Sequence, residues 1–81
     1  MVKGVVKLRV VIKLFASLRI GRFKTEERSM PEGSTVLDAL NHLELQPHEV
    51  SIVRVNNIAV SDDHVLLDSD QLALFPPMGG G

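Results

Sequence analysis

The chain contains no cysteine. Disulfides, zinc–thiolate centres and cysteine nucleophiles are therefore excluded. No apolar run approaches the roughly 20 residues that a membrane-crossing helix needs. The opening stretch MVKGVVKLRVVIKLF carries lysine and arginine among its apolar residues, and no small-residue cleavage site follows it. It does not read as a secretory leader, so the expectation is a cytoplasmic protein without membrane contact. A phosphate-cradling loop is missing as well, because the glycines at 79–81 have no helix after them. Internal repeats and linkers are also absent.

What is present is 81 residues, 44% hydrophobic and 23% charged, the composition of a globular chain. That length sets an expectation of one domain, with residues 1–75 as its body and 76–81 as a flexible tail. A domain this small buries only about 60–65% of the surface its unfolded chain exposes. It has little room for an enclosed active site. The net charge of −1 hides an asymmetry. Residues 1–30 hold eight bases against two acids, while residues 31–81 hold eight acids and one base, Arg54. Such asymmetry can mark a nucleic-acid surface. Here the bases alternate with apolar residues and no nucleic-acid signature accompanies them, so a solvated sheet face is expected and no nucleic-acid partner.

Val6, Leu8, Val10, Ile12 and Leu14 share one parity, and Lys7, Arg9 and Lys13 the other. That period of two predicts a half-buried strand over residues 5–15. SLRIGR reads as a connection, with Gly21 free to take positive φ. FKTEERSM suits an edge strand guarded by charge, and the two strands form a hairpin with a longer loop. Pro31 and Gly33 mark a turn. Thr35 is a good helix N-cap, and Asp38 three residues on completes a capping box. Val36, Leu37, Leu40 and Leu43 then recur at helical spacing, predicting a helix over residues 36–44 that stops before Pro47. VSIVRVNNIAV is a hairpin: a strand at 50–55, a tight turn at Asn56–Asn57 and a return at 58–60. SDDHVLLDSDQ reads as a loop with one short helical turn. QLALF is a final strand stopped by Pro76–Pro77. The order strand, strand, helix, strand, strand, strand points to an α+β fold. One main helix packs on one face of a mixed sheet of four to five strands, with the first and last strands side by side in the middle.

The search for a self-contained active site ends without one. His42, His48 and His64 match no metal-ligand spacing, so surface or capping histidines are expected and no metal. Asp62, Asp63, Asp68 and Asp70 lack the glycine and glutamate of a calcium loop and read as turn formers. No serine–histidine pairing follows a catalytic spacing. The tail remains. A terminal glycine carries a carboxylate with no Cβ beside it, so it can thread a channel that other residues would block. Pro76 and Pro77 stiffen the exit from the sheet. On composition alone, a disposable end stays an equal alternative.

The stretch IVRVNNIAVSDDHVLLDSDQLALFPPMGGG resembles the C-terminal part of the MoaD/ThiS family of sulfur-carrier proteins. VIKLFASLRIG and GSTVLDALNHL resemble its first strand and helix, so the resemblance covers residues 10–81. It implies the β-grasp, ubiquitin-like fold. It also implies that the Gly81 carboxylate is adenylated by a ubiquitin-activating-like enzyme of the MoeB/ThiF type, using ATP. The adenylate then accepts sulfur from a donor enzyme to become a thiocarboxylate, which places the sulfur on Gly81 in a chain without cysteine. The ATP belongs to the activating enzyme, and no permanently bound cofactor is expected. The chain is not expected to catalyse alone. FPP before the last residues looks most like the small subunit of molybdopterin synthase, whose tail inserts into a MoaE-type large subunit to deliver sulfur. By position, Gly81 would bear the sulfur, with Gly80 its slim neighbour. Phe75, Pro76, Pro77, Met78 and Gly79 would contact partners. Phe75 can equally pack the last strand.

The resemblance leaves other acceptors open: a thiazole synthase of thiamine synthesis, or lysines of target proteins if the chain is a modifier. An interaction module with an inert tail is a further alternative. One departure stands out. The family usually ends in two glycines, and Gly79 adds a third.

Overall fold

The computed structural model describes residues 7–77. Strand β1 spans Lys7–Leu14 with strict alternation: Leu8, Val10, Ile12 and Leu14 are buried and their neighbours face outward. β2, Thr25–Pro31, returns antiparallel beside it, pairing Lys7 with Pro31 and Lys13 with Thr25. The single α-helix among the described residues, α1, spans Val36–His42. β3 (Ile52–Val55) and β4 (Ile58–Ala59) form the second hairpin, and β5 spans Gln71–Phe75. Among the described residues the sheet order is β2-β1-β5-β3-β4. The first and last strands lie together in the middle and run parallel, Val11 opposite Gln71 and Leu14 opposite Leu74. This is the mixed sheet expected from the element order and the β-grasp fold that the resemblance implies, with FKTEERSM on the sheet edge.

The helix starts as the capping box requires. Thr35 Oγ1 accepts from the Asp38 amide, and Asp38 Oδ2 accepts from the Thr35 amide at 2.9 Å. The two remaining first-turn amides find partners in the loop that precedes β5. Val36 N–H donates to His64 O at 3.0 Å and Leu37 N–H to Asp62 O at 2.8 Å. All four orphan donors of the helix N-terminus are thus satisfied. This explains why SDDHVLLDSDQ contains no helical turn, contrary to expectation. Its carbonyls cap α1 instead, and Val65 forms an isolated bridge to Thr35. Short 3-10 turns occur elsewhere, at Ala16–Arg19 and Pro47–Glu49.

The helix ends at His42, two residues before the expected boundary. Leu45 N–H donates to Leu40 O at 2.9 Å and Glu44 N–H to Asn41 O at 3.1 Å, while Glu44 takes φ 58°. These two bonds form a Schellman motif, with Glu44 in the left-handed position that glycine usually fills. The buried stripe also differs from expectation by one residue. Leu37 is 38% exposed, and Ala39 stands with Val36, Leu40 and Leu43 in the core. At 100° per residue, Leu37 is carried over the rim of the face that Val36 centres.

The stripe packs on Leu8, Val10, Ile12, Leu14, Met30, Val55, Leu72 and Leu74 of the sheet. Leu66, fully buried, fills the gap under the loop. Each such side chain contributes roughly 1.5–3 kcal/mol by leaving water. All of this core lies on one face of the sheet, so among the described residues the other face is left open.

Candidate functional site

The parity that buries Leu14, Leu72 and Leu74 turns Lys13, Phe15, Ala73 and Phe75 to the open face. Because β1 and β5 are parallel, their C-terminal ends coincide. Phe15 continues β1 in extended backbone, with φ −121° and ψ 151°, and its N–H donates to Leu74 O at 3.2 Å. The two rings then stack, with centroids 4.3 Å apart and planes 10° apart. Arg54, the one base of residues 31–81, holds its guanidinium 5.7 Å from the Phe75 ring centre. Arg19 sits 5.6 Å from the Phe15 ring centre, and its Nε donates to Leu14 O at 2.8 Å. A stacked pair contributes about 0.5–1.5 kcal/mol beyond its buried area. Each cation–π contact at an exposed site adds about 0.5–1 kcal/mol.

The strand stays pinned up to its last residue, since Ser51 N–H donates to Phe75 O at 2.8 Å. Pro76 and Pro77 follow, and neither has an N–H to continue a ladder. Pro76 is half-buried and Pro77 exposed. Ile52, directly opposite Phe75 in the register and 37% exposed, extends the apolar patch at this end of the open face. Lys13, Arg19 and Arg54 give the patch a cationic surround.

Of the expected site residues, Phe75, Pro76 and Pro77 are therefore placed together at the root of the tail. Phe75 lies outside the core and packs on Phe15. Met78, Gly79, Gly80 and Gly81 lie outside the described residues. Phe15, Arg19 and Arg54 were not among the expected site residues. A usable signal existed for Phe15: it ends the first strand, Phe75 ends the last, and parallel neighbours must bring those ends together.

Several of the remaining polar side chains have structural roles. Asp70, 7% exposed, accepts from Asn56 Nδ2 at 2.9 Å and from Leu67 N–H at 2.8 Å. Asn56 Oδ1 accepts from Gln71 N–H at 3.0 Å. Asn56 and Asn57 have φ of 52° and 72°, the left-handed pair a two-residue hairpin turn requires. Asp68 Oδ1 accepts from Arg9 N–H at 2.8 Å, and Asp63 accepts from Ser61 Oγ. The carboxylates of Asp63, Asp68 and Asp70 thus hold loops and turns, while Asp62 contributes its backbone carbonyl to the α1 cap. A groove of about 410 Å³ lies beside Glu32, Asp38 and His42, but Asp38 Oδ2 in it is committed to the capping box. Among the described residues no three His, Asp or Glu side chains converge as metal ligands. No described helix is long and apolar enough to cross a membrane.

The comparisons with known proteins agree with this architecture. The solved structure of small archaeal modifier protein 1 from Haloferax volcanii superposes with a TM-score of 0.72 at 29% identity, over 88% of this chain and 99% of that one. A candidate molybdopterin converting factor subunit 1 from Pyrococcus furiosus gives 0.70 at 29% identity, again over 88% and 99%. Small archaeal modifier protein 1 from Methanosarcina acetivorans, 22% identical, shares the fold with a TM-score of 0.71 over 93% of this chain and 98% of that one. No curated protein matches the sequence. The sequence model of the ThiS family matches residues 12–81. The chain has the ubiquitin-like β-grasp fold and belongs to the ThiS family.

Proposed function

We propose that this chain is a cytoplasmic sulfur carrier whose working group is the Gly81 carboxylate, and that it donates sulfur in molybdopterin synthesis. The observation that carries the reading is that the family match runs through the final glycine. The rest of the described molecule offers no competing site. In the proposed cycle a carboxylate oxygen of Gly81 attacks the α-phosphorus of ATP. Pyrophosphate leaves and an acyl-adenylate forms on the activating enzyme. A sulfide equivalent from a sulfur-donor enzyme then adds to the acyl carbon and AMP departs, leaving a thiocarboxylate. Activation is needed because a carboxylate oxygen is a poor leaving group and AMP a good one. The thiocarboxylate is a softer nucleophile than the carboxylate it replaces.

The chain's own part is mechanical. Pro76 and Pro77 end the sheet and direct the tail outward. Glycines without Cβ atoms let it enter a narrow channel. The patch of Phe75 and Ile52 offers an apolar docking face with cationic edges. The partners of this reading are a MoeB/ThiF-type adenylating enzyme and a MoaE-type large subunit. The Pyrococcus furiosus neighbour, named for molybdopterin conversion, supports that acceptor. The small archaeal modifier protein from Haloferax volcanii, equally identical at 29%, favours a second reading. In it Gly81 is joined to lysines of target proteins. A thiazole synthase is the third acceptor class.

The test is incubation of the chain with the adenylating enzyme of its own genome, ATP and a sulfur donor, followed by intact mass measurement. The expected product has one oxygen replaced by sulfur. An unmodified carboxylate at Gly81 would overturn the reading. Isopeptide-linked adducts in cells, without any thiocarboxylate, would select the modifier reading instead.

A further inference from the structure

We infer that Phe15, Arg19 and Arg54 are positioning residues: with Phe75 they form a four-layer stack that sets where the tail leaves the sheet, and so where its carboxylate is delivered. The inference rests on the reading of Gly81 as the activated group. It adds to that reading a device in the folded body that nothing in the tail sequence discloses.

Four observations converge on it. The layers follow one another as Arg19, Phe15, Phe75 and Arg54, with separations of 5.6, 4.3 and 5.7 Å. Arg19 is itself held, its Nε bonded to the Leu14 carbonyl at 2.8 Å. The β5 backbone beside the stack is bonded on both flanks, by Phe15 N–H to Leu74 O and by Ser51 N–H to Phe75 O. The next residue is Pro76, where pairing has to stop. The last sheet-paired residue is therefore Phe75, and the stack is what holds its ring.

Neither ring belongs to the buried core. Core packing therefore does not explain why two phenylalanines stand on the open face with an arginine over each. A carboxylate that must meet the α-phosphorus of ATP in line is sensitive to the root of its tail, because small misplacement of a reacting group lowers the rate steeply. A loosened root spreads the carboxylate over more positions. That cost falls on the chemical step. Loss of a simple contact with the enzyme would fall on association.

The test compares Phe15→Ala, Phe15→Tyr and Arg19→Lys with the unaltered chain. ATP–pyrophosphate exchange by the adenylating enzyme gives kcat and KM for the carrier, thermal unfolding checks the fold, and amide relaxation is measured in the free chain. Phe15→Ala should lower kcat on the order of tenfold with a much smaller change in KM. Phe15→Tyr, which restores a stacking ring, should return kcat. Arg19→Lys keeps the charge but loses the guanidinium and its Nε bond to Leu14 O, and should fall between. In the free chain, the order parameter of the Phe75 amide should drop in Phe15→Ala while those of Val10 and Ile12 hold.

An unchanged kcat with raised KM would make the stack a contact surface only and overturn the inference. An unmoved Phe75 amide would overturn it without reference to any enzyme. So would a kcat loss that merely tracks the unfolding temperature. If the unaltered chain supports no exchange at all, the failure is that of the carrier reading, and the Phe75 amide still decides whether the stack anchors the strand.

Discussion

At the scale of single residues, the chain uses left-handed backbone in several places and glycine in only some of them. Glu44 occupies the left-handed position of the Schellman motif that ends α1. A Cβ there costs roughly 1–2 kcal/mol, part of which glycine returns through its greater freedom in the unfolded chain. Glu44→Gly should therefore stabilise the protein by a few tenths to about 1 kcal/mol in urea unfolding. The two turn asparagines make a sharper contrast. Asn57 is exposed in a position where glycine is preferred, so Asn57→Gly should be neutral or mildly stabilising. Asn56 has the same backbone sign but also ties the hairpin to Asp70 and Gln71. Asn56→Gly strips a donor from a buried carboxylate and should cost about 1–3 kcal/mol. Equal effects of the two changes would contradict the role given to the Asn56 side chain.

At the scale of elements, helix α1 depends on its capping box and on the loop that lends it carbonyls. Thr35→Ala should cost about 1 kcal/mol, read by the same unfolding assay. The paired change Pro76→Ala with Pro77→Ala should behave differently. Neither ring is in the core, so the unfolding midpoint should stay close to the original while adenylation of the tail slows. These elements also show how far the sequence could be read. Alternation from Leu8 to Leu14 marks β1, Thr35 with Asp38 marks the start of α1, and QLALF marks β5 to the residue. Each is a local pattern with a local cause. The end of α1 was not legible, because a left-handed glutamate leaves no compositional mark. The segment before β5 is legible as a loop, but its capping role is not, because its carbonyls are taken by a helix far away in sequence. The glycines and prolines of the tail single it out in the sequence as the candidate site. Its anchor was only half legible. Parallel pairing of the first and last strands predicts that Phe15 meets Phe75. Nothing local announces that Arg19 and Arg54 close over the two rings.

At the scale of the whole molecule, a one-sided core is distinguished from a proposed working end. Among the described residues, the buried packing lies between α1 and one face of the sheet, and Pro76 and Pro77 are not part of it. Removing Gly80 and Gly81 should leave the unfolding transition unchanged and abolish adenylation. Truncating the core should do the opposite. Ile12→Ala should cost about 2–5 kcal/mol, yet whatever fraction stays folded should still be adenylated. The central claim is that a chain without cysteine carries sulfur on its last residue. The most direct measurement is the intact mass of the protein after incubation with its adenylating enzyme, ATP and a sulfur donor, with fragmentation to place the change. One sulfur in place of one oxygen, located at Gly81, is the result expected. An unchanged mass, or sulfur placed anywhere else in the chain, would contradict it.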